Sequence, residues 1–106
     1  MKRTRLLQKL YKRCPRPLCY NLDIFFADII SRNVSAFRKH SHTHPCELEK
    51  EEWDKILGKI AWAFEQTKQN YPLDTWGSSK REIEEYWTKI SEGRQLFIDY
   101  FDHLWD

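Results

Sequence analysis

Glycine is scarce in this chain: three in 106 residues, at positions 58, 77 and 93. Scattered in this way, they build no phosphate-cradling loop. No HExxH and no CxxC occurs, so the common zinc-peptidase and paired-thiol patterns are missing. No apolar run nears the roughly 20 residues of a membrane span. No apolar stretch follows the basic N-terminus, as a secretory signal would require. Cys14, Cys19 and Cys46 are odd in number, which without such a signal points to reduced thiols in a cytoplasm. Acids are absent from the first twenty residues, which carry seven Lys or Arg. Residues 21–106 carry eleven bases against sixteen acids, a net −5, so the overall +2 conceals a basic arm on an acidic body.

What is present is helix-forming and aromatic. Leu, Ile, Lys and Glu abound and breakers are few, which favours helix over sheet. The expected fold is all-α: a short basic N-terminal helix in an arm, residues 1–20, and a single helical domain, 21–106. Its three main helices are expected at about 21–38, 49–70 and 79–104. Five Trp, five Tyr and six Phe exceed what so small a core can bury, so some belong in a ligand pocket or an oligomer interface.

The closing stretch is expected to organise the rest. Ile83, Trp87, Ile90, Arg94, Phe97, Phe101 and Leu104 step by four and three, a heptad seam that Tyr86, Leu96 and Tyr100 widen. Ser79 caps its start, with Glu82 three residues on. Gly93 and Arg94 interrupt the seam. Either Gly93 admits a close helix and Arg94 lies along apolar surface, or both mark a ligand site or subunit contact.

Asn21 or Asp23 is placed to cap the first main helix, where Leu22, Phe25, Phe26, Ile29, Ile30, Val34 and Phe37 recur at helical spacing. This most apolar segment reads as the central core helix, with an Asp28–Arg32 pair on its far side. In the next helix Trp53, Ile56, Leu57, Ile60, Phe64 and Thr67 form the inner face, and Trp62 falls off it. Pro72 is expected to end that helix. In the arm, Leu6, Leu7, Leu10 and Tyr11 form a narrow stripe, a weak helix that needs a partner surface. His40, His42, His44 and Cys46 alternate in the linker, the one metal-like pattern. It lacks a second ligand cluster and reads as a solvated turn, so no metal and no cofactor is expected.

From Asn21 onward the chain resembles a family of small uncharacterised phage and prophage proteins. The matching pieces are Leu22-Asp23 with Phe37, then Glu52-Trp53-Asp54-Lys55-Ile56-Leu57 with Ala63-Phe64-Glu65. The third piece runs from Leu96-Phe97 through Tyr100-Phe101 to Leu104-Trp105-Asp106. Together they cover about four-fifths of the chain. The resemblance implies a setting, the host-cell cytoplasm, and no mechanism. It favours a non-enzymatic binding protein that antagonises a host defence by sequestering a defence protein or a nucleotide-like signal. A nucleotide would stack on Trp or Tyr and hold its phosphates on Arg or Lys. Trp87, Tyr86, Arg94, Arg81, Trp62 and Trp76 are the candidates. Nucleic-acid binding through Arg3, Arg5, Lys9, Lys12 and Arg13 of the arm is the alternative, as is a virion assembly role. A homo-oligomer fits any of these, with a monomeric bundle as the other possibility.

Overall fold

A computed structural model describes residues 21–74 and 77–105. The arm, with its five nucleic-acid candidates, lies outside them, as does Trp76. Three helices and a short turn follow in order: α1, Leu22–His40; α2, Lys50–Lys68; α3, Lys80–Asp99; and a 3-10 turn, Phe101–His103. No strand occurs among the described residues.

The central helix is α2. It packs against α1 on one flank and α3 on the other, and the backbones of α1 and α3 do not meet. This corrects the expectation that α1 is central. Apolar content misled, because what counts is how many faces a helix buries. α1 buries one stripe of small residues, Ala27, Ser31 and Val34, at i, i+4 and i+7. α2 buries Trp53, Leu57, Ile60, Ala63, Gln66 and Thr67, which span both flanks. At 100° per residue, Trp53, Leu57, Ile60 and Phe64 share one side of α2. Ala63, Gln66 and Thr67 turn toward α3. Asp54 and Gly58 turn toward α1.

The apolar core lies on the Trp53 side. Val34, Trp53, Leu57 and Ile60 are buried there, with Phe37, Phe97, Tyr100 and Leu104 packed against them. Trp53 meets Tyr100 edge-on at 5.5 Å between ring centroids, and Phe64 meets Phe97 at 5.1 Å. Each large side chain removed from water here contributes about 1.5–3 kcal/mol. The tail is tied back to the linker, where the Thr43 hydroxyl donates to the Trp105 carbonyl at 3.2 Å.

The helix ends have local causes. Ser79 accepts a hydrogen bond from the Glu82 N–H at 3.2 Å, the expected cap. Asn21 precedes α1 without a side-chain cap bond, and its backbone carbonyl takes the Ile24 and Phe25 N–H groups instead. α2 stops at Lys68 because Asn70 adopts a left-handed φ of 60°. The Tyr71 N–H then reaches the Gln66 carbonyl at 2.8 Å and the Asn70 N–H that of Thr67 at 3.1 Å, a Schellman closure. Pro72, expected to end the helix, follows the stop. α3 ends at Asp99, earlier than expected, and the chain tightens into the 3-10 turn. Phe101 leaves the seam there and is 59% exposed, while Leu104 folds back onto the core.

Candidate functional site

The midpoint of α3 is an internal joint. Arg94 donates through Nη2 to the Thr67 hydroxyl at 2.9 Å and the Tyr71 hydroxyl at 2.8 Å. Its guanidinium also sits 6.0 Å from the Tyr71 ring centre. Trp87 packs against Tyr71 with ring centres 4.5 Å apart and the ring planes tilted by 40°. Tyr86 is buried and its hydroxyl donates to Gln66 Oε1 at 2.8 Å. Burial pushes the Tyr86 hydroxyl above the ordinary phenol range. Gly93 is buried beside them: a Cβ there would fall on Ala63 Cβ and stand 2.5 Å from the Lys59 carbonyl oxygen. Three of the sequence candidates, Arg94, Tyr86 and Trp87, thus work in holding α3 to α2. Arg81 is elsewhere, exposed and paired with Glu85 at 3.2 Å.

Trp62 is placed differently. It lies nine residues after Trp53, two and a half turns, so the two point to opposite sides of α2. Its ring leans edge-on against Tyr86 at 5.7 Å and remains 36% exposed. Lys55 and Lys59 precede it by seven and three residues, which puts them on the same side. There the three helices frame an open cleft of about 620 Å³, lined by Arg38, Lys55, Gly58, Lys59, Trp62, Lys89 and Glu92. Four cations face one acid, a local +3, on a body whose net charge is −5.

Two of these cations are already engaged. Arg38 forks onto Asp54, with Nε and Nη2 each 2.9 Å from a carboxylate oxygen. Its guanidinium lies over Gly58, where any Cβ would meet it at 2.8 Å. The hydrogen bond from Arg38 holds the Asp54 carboxyl below the usual range and raises the guanidinium's own pKa in return. Lys59 reaches Glu92 at 2.8 Å. Lys55 and Lys89 make no ion pair among the described residues.

The sequence reading missed Arg38, Lys55, Lys59 and Lys89. The Lys55–Lys59–Trp62 stripe was there to be found at helical spacing. Arg38 and Lys89 join it only because α1 and α3 flank α2. Among the described residues, no three His, Cys, Asp or Glu side chains come close enough to hold a metal. His42, His44 and Cys46 are exposed in the linker, and His40 ends α1. No described helix is long and apolar enough to cross a membrane. No family model, curated protein or solved structure matches the chain.

Proposed function

We propose that this protein is a non-enzymatic binding protein whose cleft takes a phosphate-bearing ligand with a planar ring. Sequestration of a nucleotide-like signal, in the manner of a phage-type antagonist of a host defence, is the function that this reading gives it. The observation that carries it is the exposed Trp62 face set among Arg38, Lys55, Lys59 and Lys89 on an otherwise acidic body. A ring stacks on Trp, and ammonium and guanidinium groups hold phosphate oxygens. The one acid lining the cleft, Glu92, is held by Lys59, which supports binding rather than bond-making. Of the sequence candidates, Trp62 is kept in this role. Arg94, Tyr86 and Trp87 support it indirectly, by fixing α3 and hence Lys89.

A thermal-shift screen with linear and cyclic nucleotides at low salt tests this. A ligand at about 100 times its Kd adds about 2.7 kcal/mol of stability, which raises Tm by roughly 10 °C for a domain of this size. Lys89→Ala removes one charged contact and is expected to weaken binding about tenfold. Trp62→Leu is expected to weaken ring-bearing ligands while sparing inorganic phosphate. No shift with any nucleotide, or a shift indifferent to both variants, overturns the reading.

A further inference from the structure

The cations of the cleft stand in an order along α2, and that order gives the cleft a direction. At 1.5 Å per residue, Lys59, Gly58 and Lys55 lie about 4.5, 6 and 10.5 Å from Trp62 along the helix axis. The Arg38 guanidinium is fixed at the level of Gly58, over which it lies. On α3, Lys89 is three residues, about 4.5 Å, from Tyr86, whose ring touches Trp62, so it belongs to the ring end. Trp62 and Lys89 thus mark one end of the cleft and Lys55 the other, with Lys59 and the Arg38 guanidinium between them. The two middle cations are already held, by Glu92 and Asp54. The two at the ends, Lys89 and Lys55, make no ion pair among the described residues.

We propose that the ligand is a linear nucleoside di- or triphosphate, with its base on Trp62, its first phosphate at Lys89 and Lys59, and its terminal phosphate at Arg38 and Lys55. This rests on the cleft's being a nucleotide site, and it names the class of nucleotide. A single phosphate, one sugar away from the stacked ring, meets the cations of the ring end and leaves Lys55 unused. A cyclic monophosphate ties its charge back to the sugar and leaves Lys55 unused as well. A cyclic dinucleotide would carry a second ring in among the cations, where no other aromatic side chain lines the cleft. Only an unbranched chain of phosphates carries negative charge away from the ring along the whole file, where ammonium and guanidinium groups take its oxygens.

The test is calorimetric titration of the full chain, at low salt with a chelator, using the mono-, di- and triphosphates and the cyclic monophosphates of the four ribonucleosides. At least one triphosphate is expected to bind about tenfold tighter than its mono- and cyclic monophosphate, the effect of one more charge-assisted contact. Lys55→Ala should remove that advantage and leave the monophosphate Kd unchanged, whereas Lys89→Ala should weaken all of them alike. Lys80→Ala removes the same charge from the start of α3, outside the cleft, and should change nothing. Mono- or cyclic monophosphate binding as tight as triphosphate binding overturns this proposal and leaves the nucleotide site standing. A triphosphate preference that survives Lys55→Ala, or that Lys80→Ala reduces as much, also overturns it, by assigning the preference to overall charge. Binding of none of these nucleotides overturns both.

Discussion

Replacing Gly93 by Ala sets two effects against each other, and the geometry decides between them. Within a helix Ala is favoured over Gly by about 1 kcal/mol. Against this, the new Cβ would stand 2.5 Å from the Lys59 carbonyl oxygen, where ordinary contact begins at 3.4 Å. The obstacle is backbone and cannot swing aside, so α2 and α3 must part by about 0.9 Å at this point. That displacement would stretch the Arg94–Thr67 bond from 2.9 Å and the Tyr86–Gln66 bond from 2.8 Å beyond hydrogen-bond range. Each is worth about 1 kcal/mol, and overpacking adds a further 1–3 kcal/mol. Net of the helix gain, Gly93→Ala is expected to cost about 2–4 kcal/mol. Urea denaturation followed by circular dichroism measures it, as a lower midpoint at unchanged slope. Gly58→Ala is the control. The nearest atoms its Cβ would meet are those of the Arg38 guanidinium, the movable end of an exposed side chain. There the helix gain prevails and stability should hold or rise by up to about 1 kcal/mol. If Gly93→Ala is as stable as the wild type, or the two variants behave alike, the close approach is not what holds the helices.

Tyr86→Phe strands the buried Gln66 oxygen and should cost about 1–2 kcal/mol at neutral pH. Because burial raises the Tyr86 pKa, its stabilisation is complete below the ordinary phenol value and is lost as pH rises through the folded one. Wild type should therefore lose stability above about pH 10, the ordinary phenol value, more steeply than Tyr86→Phe, read from urea midpoints. Asp54 has the opposite sign: its pKa is depressed, so its contribution is present above the ordinary carboxylate value and lost as pH falls through the lowered one. Arg38→Gln should move the Asp54 carboxyl titration, followed by NMR, upward, and an unmoved midpoint refutes the attribution. Glu92→Gln releases Lys59 into the cleft. An exposed pair of this kind holds its cation by about 0–1 kcal/mol, so phosphate-bearing ligands should bind up to about fivefold tighter in the thermal-shift assay.

How far the fold was legible depended on whether a feature was local. The Ser79 cap, the Asp28–Arg32 pair at 3.1 Å and the inner face of α2 are set by residues three or four apart, and the spacing showed them. The end of α2 escaped because Asn70 closes it through a left-handed turn, and Pro72 is the more visible breaker. Gly93 and Arg94 were recognised as departures from the seam. Their partners, Ala63, Lys59, Thr67 and Tyr71, lie in another helix and its following turn, beyond what spacing along α3 reveals. The cleft was the least legible, since it takes one wall from each of three helices.

The misplaced centre has a physical lesson that joins the two faces of this molecule. α1 is the most apolar helix, yet it turns only the small residues Ala27, Ser31 and Val34 fully inward. Its remaining apolar side chains, from Leu22 and Phe26 to Ile29 and Ile30, exceed what α2 can cover, and Ile29 and Ile30 of that excess line a groove of about 300 Å³ with Phe97 and Leu104. α2 is less apolar because it serves three surroundings at once: core at Trp53 and Ile60, close helix contact at Ala63, and solvent at Lys55 and Lys59. A helix in the middle of a single layer must keep one side wet, so its pattern is diluted by the charges of that side. In a three-helix layer, then, surplus apolarity marks the face that the middle helix leaves uncovered. A stripe of Lys beside a lone Trp marks the face that the middle helix gives to solvent. α2 stands behind both surfaces, the cleft and the groove.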